Sequence, residues 1–143
     1  MSQENKDTSV VSHKLFDESY TILLPSEYQK SKTTKNQFVW QQQGAVFQYI
    51  FIPHVSPQTF QDSLTPAYFS AQNLENVVKT QDEPTKYRYR GEFFVGELLY
   101  NRAFVIRPHK KGTVLLLANY PQKTHNLIFP HYMQSFESSC KDE

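Results

Sequence analysis

Apolar and polar positions alternate most regularly across residues 86–120, KYRYRGEFFVGELLYNRAFVIRPHKKGTVLLLANY. Tyr87, Tyr89, Phe93 and Val95 take turns with Arg88, Arg90 and Glu92, and Phe104 and Ile106 keep the same two-residue period, which predicts antiparallel strands. His109-Lys110-Lys111-Gly112 reads as a polar hairpin turn. The unbroken apolar run at residues 113–118 suits a strand covered on both faces, and is predicted to lie at the centre of the sheet.

Earlier in the chain the same criteria predict more strands. Residues 13–16 and 20–24, separated by Asp17-Glu18-Ser19 and stopped by Pro25, form a leading hairpin. Residues 26–37 are polar and Lys-rich and read as a loop. Residues 38–40 and 45–52, joined across Gln41-Gln42-Gln43-Gly44, give two strands, the second apolar on both faces and therefore interior; Trp40 is assigned to the core. Ser56-Pro57 supplies an N-cap and first helical residue, and Phe60, Leu64, Ala67, Tyr68, Ala71 and Leu74 lay one stripe along a helix reaching about Asn76. Pro66 kinks it; the alternative is two short helices, with Thr65-Pro66 starting the second. A further strand starts at Val77-Val78-Lys79, residues 80–85 form a polar loop, and Ile128, Tyr132 and Phe136 mark a closing helix complicated by Pro130.

The predicted class is α+β: an antiparallel sheet with a leading hairpin, packed by a central and a C-terminal helix. Residues 1–12 read as a disordered leader or tether, and 13–143 as one domain. Composition sharpens this in two ways. Aromatic residues make up 15% of the 143 positions, which argues against disorder, and 15 Lys+Arg against 14 Asp+Glu remove any whole-domain charge argument for nucleic acid or an anionic membrane.

Catalytic and cofactor signatures do not emerge. A single Cys140 excludes an intrachain disulfide and a Cys-based zinc site, and the five histidines include no HExxH. There is no GxSxG elbow, P-loop or GxGxxG, and four glycines leave few places to cradle phosphate. Arg90, Gly91, Phe94 and Val95 match part of an RNA-recognition strand, yet Glu92 and Glu97 stand where that strand carries aromatic residues. No catalytic residue, cofactor or metal ligand is assigned.

Residues 20–25, YTILLP, residues 101–105, NRAFV, and residues 133–136, MQSF, resemble strand and helix endings of the PsbP/DcrB-like group. That resemblance spans residues 13–138 and implies an α/β/α sandwich. Members serve as photosystem accessory subunits, envelope lipoproteins and a Ran-binding protein, so the resemblance implies binding and not a reaction. The expectation is a non-enzymatic binding or accessory domain holding a protein partner, placed in the bacterial cell envelope or periplasm, with membrane attachment only through a lipid anchor if a signal was removed. Its rivals are a cytoplasmic immunity or adaptor protein, an RNA-binding module and an enzyme assembled from scattered residues. The expected contact surface is an edge strand carrying Tyr87, Arg88, Tyr89 and Arg90, beside the turn His109, Lys110 and Lys111.

Overall fold

The computed structural model describes residues 9–16 and 20–137. The chain runs β1 (Val10–Leu15), β2 (Tyr20–Pro25), β3 (Gln29–Thr34), β4 (Gln37–Gln42), β5 (Ala45–Pro53), α1 (Pro57–Asp62), α2 (Pro66–Ala71), β6 (Glu75–Glu83), β7 (Lys86–Val95), β8 (Leu98–His109), β9 (Gly112–Pro121), a 3-10 turn (Gln122–Thr124) and α3 (His125–Glu137). Strands β3 to β9 form one antiparallel sheet in the order β3-β4-β5-β9-β8-β7-β6, while β1 and β2 pair separately. Two meanders, β3 to β5 and β6 to β9, therefore meet along a single seam between β5 and β9. The run at residues 113–118 lies in the central strand, as its continuous apolarity predicts, and Val114 and Leu116 are fully buried.

Alternation along the strands assigns side chains to two faces. On one face, the β1–β2 hairpin and α3 cover Trp40, Phe47, Tyr49, Val105, Val114, Leu116 and Tyr120. On the other, α1 and α2 lie over Tyr87, Tyr89, Phe104, Ile106 and Leu115. This is the expected α/β/α arrangement.

Several boundaries differ from expectation. Residues 10–12, assigned to the leader, form the first half of β1, with Val10 opposite Pro25; residues 1–8 of that leader, the Asp17–Ser19 turn and the chain beyond residue 137 lie outside the described residues. The supposed loop at residues 26–37 contains β3, whose polar sequence carries no hydrophobic period because it is an edge strand with a register shift between Lys30 and Thr33. The kinked helix is two helices. Ser56 Oγ accepts from the Thr59 backbone N–H at 3.1 Å and Thr65 Oγ1 from that of Tyr68 at 3.2 Å, so each proline begins its own helix behind its own cap. Strand β6 extends to Glu83, shrinking the loop at residues 80–85, and Pro130 sits inside α3, where it gives up one helical hydrogen bond. Most consequentially, β7 is not an edge: it pairs with β8 on one side and β6 on the other.

Candidate functional site

The two-residue period of β7 sends its residues to opposite faces. Tyr87 and Tyr89 turn under the short helices, where their hydroxyls donate to Gln58 Oε1 at 2.8 Å and Gln61 Oε1 at 2.9 Å, and Tyr89 stacks on Phe104 with ring centres 5.0 Å apart. Arg88 turns the other way and is also buried. Its Nε donates to Gln81 Oε1 at 3.1 Å, and its guanidinium lies 5.6 Å from the Tyr132 ring centre. His109 packs 4.7 Å from Phe51, and its Nδ1 accepts the Lys111 backbone N–H at 3.0 Å. Lys110 and Lys111 are exposed on the β8–β9 turn, whereas Arg90 lies opposite Ala103, well back along β8. The seven sequence-selected residues thus form no common surface. Because both tyrosines and Arg88 are buried, base stacking through this strand is overturned too.

Arg90 instead opens onto a cavity of about 360 Å³ on the α3 side of the sheet, lined by Asn76, Arg90, Glu92, Asn101, Gln122 and His125. Five elements build it: β6, β7, β8, the 3-10 turn and α3. A register shift between Glu75 and Val78 puts Asn76 at φ 54°, a left-handed conformation that asparagine tolerates, and its Nδ2 donates to Glu92 Oε1 at 2.8 Å. Gln122 Nε2, from the 3-10 turn, donates to Glu92 Oε2 at 2.9 Å and to Asn101 Oδ1 at 3.0 Å. Gly91, between the two charged residues, leaves room on the opposite face for Leu74; a Cβ there would come within 2.8 Å of Leu74 Cγ.

Proton positions follow from the partners. Asn101 Nδ2 can only donate, so the His125 Nδ1 that it meets at 3.2 Å is an acceptor, also reached by the Tyr120 hydroxyl at 2.7 Å. Burial, and then the charge of Arg90, lower the His125 pKa, so the ring is neutral with its proton on Nε2. Burial raises the Tyr120 pKa, keeping the hydroxyl protonated. Glu92 receives two amide donors and no cation, and Arg90 has no hydrogen-bond or ion-pair partner among the described residues. A second cavity of about 270 Å³ shares Arg90 and is walled by Phe129, Tyr132 and Met133 of α3. No group of three or more His, Cys, Asp or Glu side chains able to hold a metal occurs among the described residues.

The solution structure of cyanobacterial PsbP (CyanoP) from Synechocystis sp. PCC 6803 superposes with a TM-score of 0.59 at 11% identity, covering 94% of each chain. The chain has a PsbP-like fold. No protein-family model and no curated protein matches its sequence. At that identity the PsbP likeness speaks for backbone architecture alone, so the polar cavity rests on this chain's own residues. Sequence reasoning found Arg90 but missed Asn76, Asn101, Gln122 and His125, which come from four separate elements. The one legible signal was that Arg90 and Glu92 share a strand face.

Proposed function

We propose that the protein is a non-enzymatic accessory domain that holds a protein partner through the tip of its β7–β8 hairpin. The observation that carries this is the tip itself. Pairing of β6 with β7 ends at Glu92 and pairing of β8 with β9 ends at Tyr100, so Phe94, Val95, Leu98 and Leu99 pair only with one another beyond the rest of the sheet. Phe94 is 60% exposed on one side of the hairpin, and the cross-strand pair Val95 and Leu98, 54% and 38% exposed, lies on the other, so a partner gripping the tip would bury large apolar side chains on both sides. The PsbP-like fold supports an accessory role by analogy.

The same reading places the domain in the bacterial envelope on a lipid anchor. No helix among the described residues is long and apolar enough to cross a membrane, and a lipid anchor is the attachment this reading assigns. Affinity capture of the full chain from its source tests the partner reading: Phe94→Ser with Leu98→Ser should preserve the melting temperature and weaken capture by about tenfold or more. Undiminished capture refutes the tip. Labelling of cells with a radioactive fatty acid, followed by fractionation, tests the anchor.

A further inference from the structure

We propose that the cavity at Arg90 and Glu92 binds a free amino acid with a large apolar side chain, a function separate from holding a partner protein. Two opposite charges face one cavity, and neither is matched. Among the described residues the exposed Arg90 side chain makes no hydrogen bond or ion pair, and the Glu92 carboxylate receives only the amides of Asn76 and Gln122. They stand two residues apart on one strand face, about 6.6 Å between Cα atoms, too near the same space for a ligand of single sign to satisfy both.

A zwitterion satisfies both. The guanidinium fork takes the ligand's carboxylate through two parallel N–H···O bonds. Each Glu92 oxygen accepts one amide hydrogen, and a carboxylate has roughly four acceptor sites, so lone pairs remain for an ammonium. The amides also fix the carboxylate's orientation before the ligand arrives, which reduces the ordering cost of binding. Phosphates and dicarboxylates bring a second negative charge against Glu92 and are disfavoured.

The neighbouring cavity sets the side chain. Arg90 lines both spaces; Phe129, Tyr132 and Met133 wall the second together with Gln81 and Arg88, which hydrogen-bond to each other, so what remains for a group extending from the α-carbon bound at Arg90 and Glu92 is the apolar wall. The volume of about 360 Å³ at the charged end lies within the usual range for small-ligand pockets.

The experiment is a two-dimensional NMR titration of the 15N-labelled full chain with L-phenylalanine, L-leucine and L-methionine. At least one should give saturable shifts at the amides of Gly91, Asn101 and Gln122. For that amino acid, the N-acetyl derivative, which lacks the ammonium, and the carboxamide, which lacks the carboxylate, should each bind about tenfold more weakly or worse. Arg90→Gln and Glu92→Gln should each weaken binding to the same degree at an unchanged melting temperature and leave capture of a protein partner intact. Absence of saturable shifts with all three amino acids overturns the proposal. So does binding of the blocked derivatives as tight as that of the free amino acid, or binding unaffected by either substitution.

Discussion

The two faces of the sheet are covered by helices of very different length, and the difference decides how much each face contributes. Helix α3 has 13 residues and spans about 20 Å, enough with the β1–β2 hairpin to close over interlocking rings such as Trp40 on Tyr49, 5.6 Å apart at 87°, and Phe47 on Tyr132, 6.5 Å apart at 87°. Polar tips on this face find partners: the Tyr49 hydroxyl meets Ser135 Oγ, and that of Tyr28 meets His131 Nδ1 at 2.8 Å. Helices α1 and α2 have six residues each and bury none of their own. They shelter a smaller cluster, and the tyrosines beneath them reach Gln58 and Gln61 near the surface. A strand pattern announces which side chains share a face; the length of the covering helix determines how dry that face becomes.

The sharpest way to break the contrast is to charge the thick face. Leu116→Asp puts an unpartnered carboxylate in the fully buried central strand and should abolish cooperative folding, a loss comparable to the whole stability of about 5–15 kcal/mol. A cooperative urea transition for that variant would show the face to be wetter than its packing implies. A matched pair measures the contrast itself: Tyr132→Ala should cost about 3–5 kcal/mol, because the residue is buried against Phe47, whereas half-buried Phe69→Ala should cost about 1–2 kcal/mol. Equal shifts in the urea midpoint would erase the distinction. Gly91→Ala pushes a methyl into Leu74, whose side chain can yield beneath the thin cover, so about 1 kcal/mol is expected.

The smallest effect is titration, and it belongs to the thick face. His13 lies against Trp40, His125 beside Tyr120 and Phe129, and His131 beside Tyr28. Burial is the main cause holding the pKa of all three below the ordinary value near 6.5, with Lys30 and Arg90 also lowering those of His13 and His125, while Glu27 opposes the shift at His131. The unfolded chain therefore binds protons first. Their contribution is complete above about pH 6.5 and is lost as pH falls below it toward the folded values. The melting temperature should drop by a few degrees between pH 7.5 and 5.5, and by less in His131→Gln; a flat profile would count against the burial of these rings.

The sequence makes the two-residue period of β7, the unbroken apolar run of β9 and the cap at Ser56 plain, because each is a local signal, whereas the cap at Thr65 competes with a kink at Pro66 until the structure separates the two helices. Edge strands hide from the same criteria. β3, QKSKTT, contacts solvent on most sides and needs no apolar alternation, so it resembles a loop until its pairing with β4 is seen. Missing the full length of β6 had the larger consequence, since it turned β7 into an apparent edge and put buried Arg88 in solvent. The cavity was least legible of all: Asn76, Asn101, Gln122 and His125 meet only when bulge, strand, turn and helix are in place.

The seam between the two meanders bears on how quickly the chain reaches its native state. Every other pairing in the sheet joins strands adjacent in sequence, whereas β5 and β9 must find each other across the whole segment separating Pro53 from Gly112. That closure carries the largest chain-entropy cost in the sheet and yields no contact until both meanders have shape. Gly112 stands where this search ends: a methyl there would collide with the Ile52 carbonyl, so the residue that opens the last strand also determines whether the two halves can zip at all. Substitutions along the seam should therefore appear in refolding rates, while those in the β7–β8 hairpin should act mainly on unfolding.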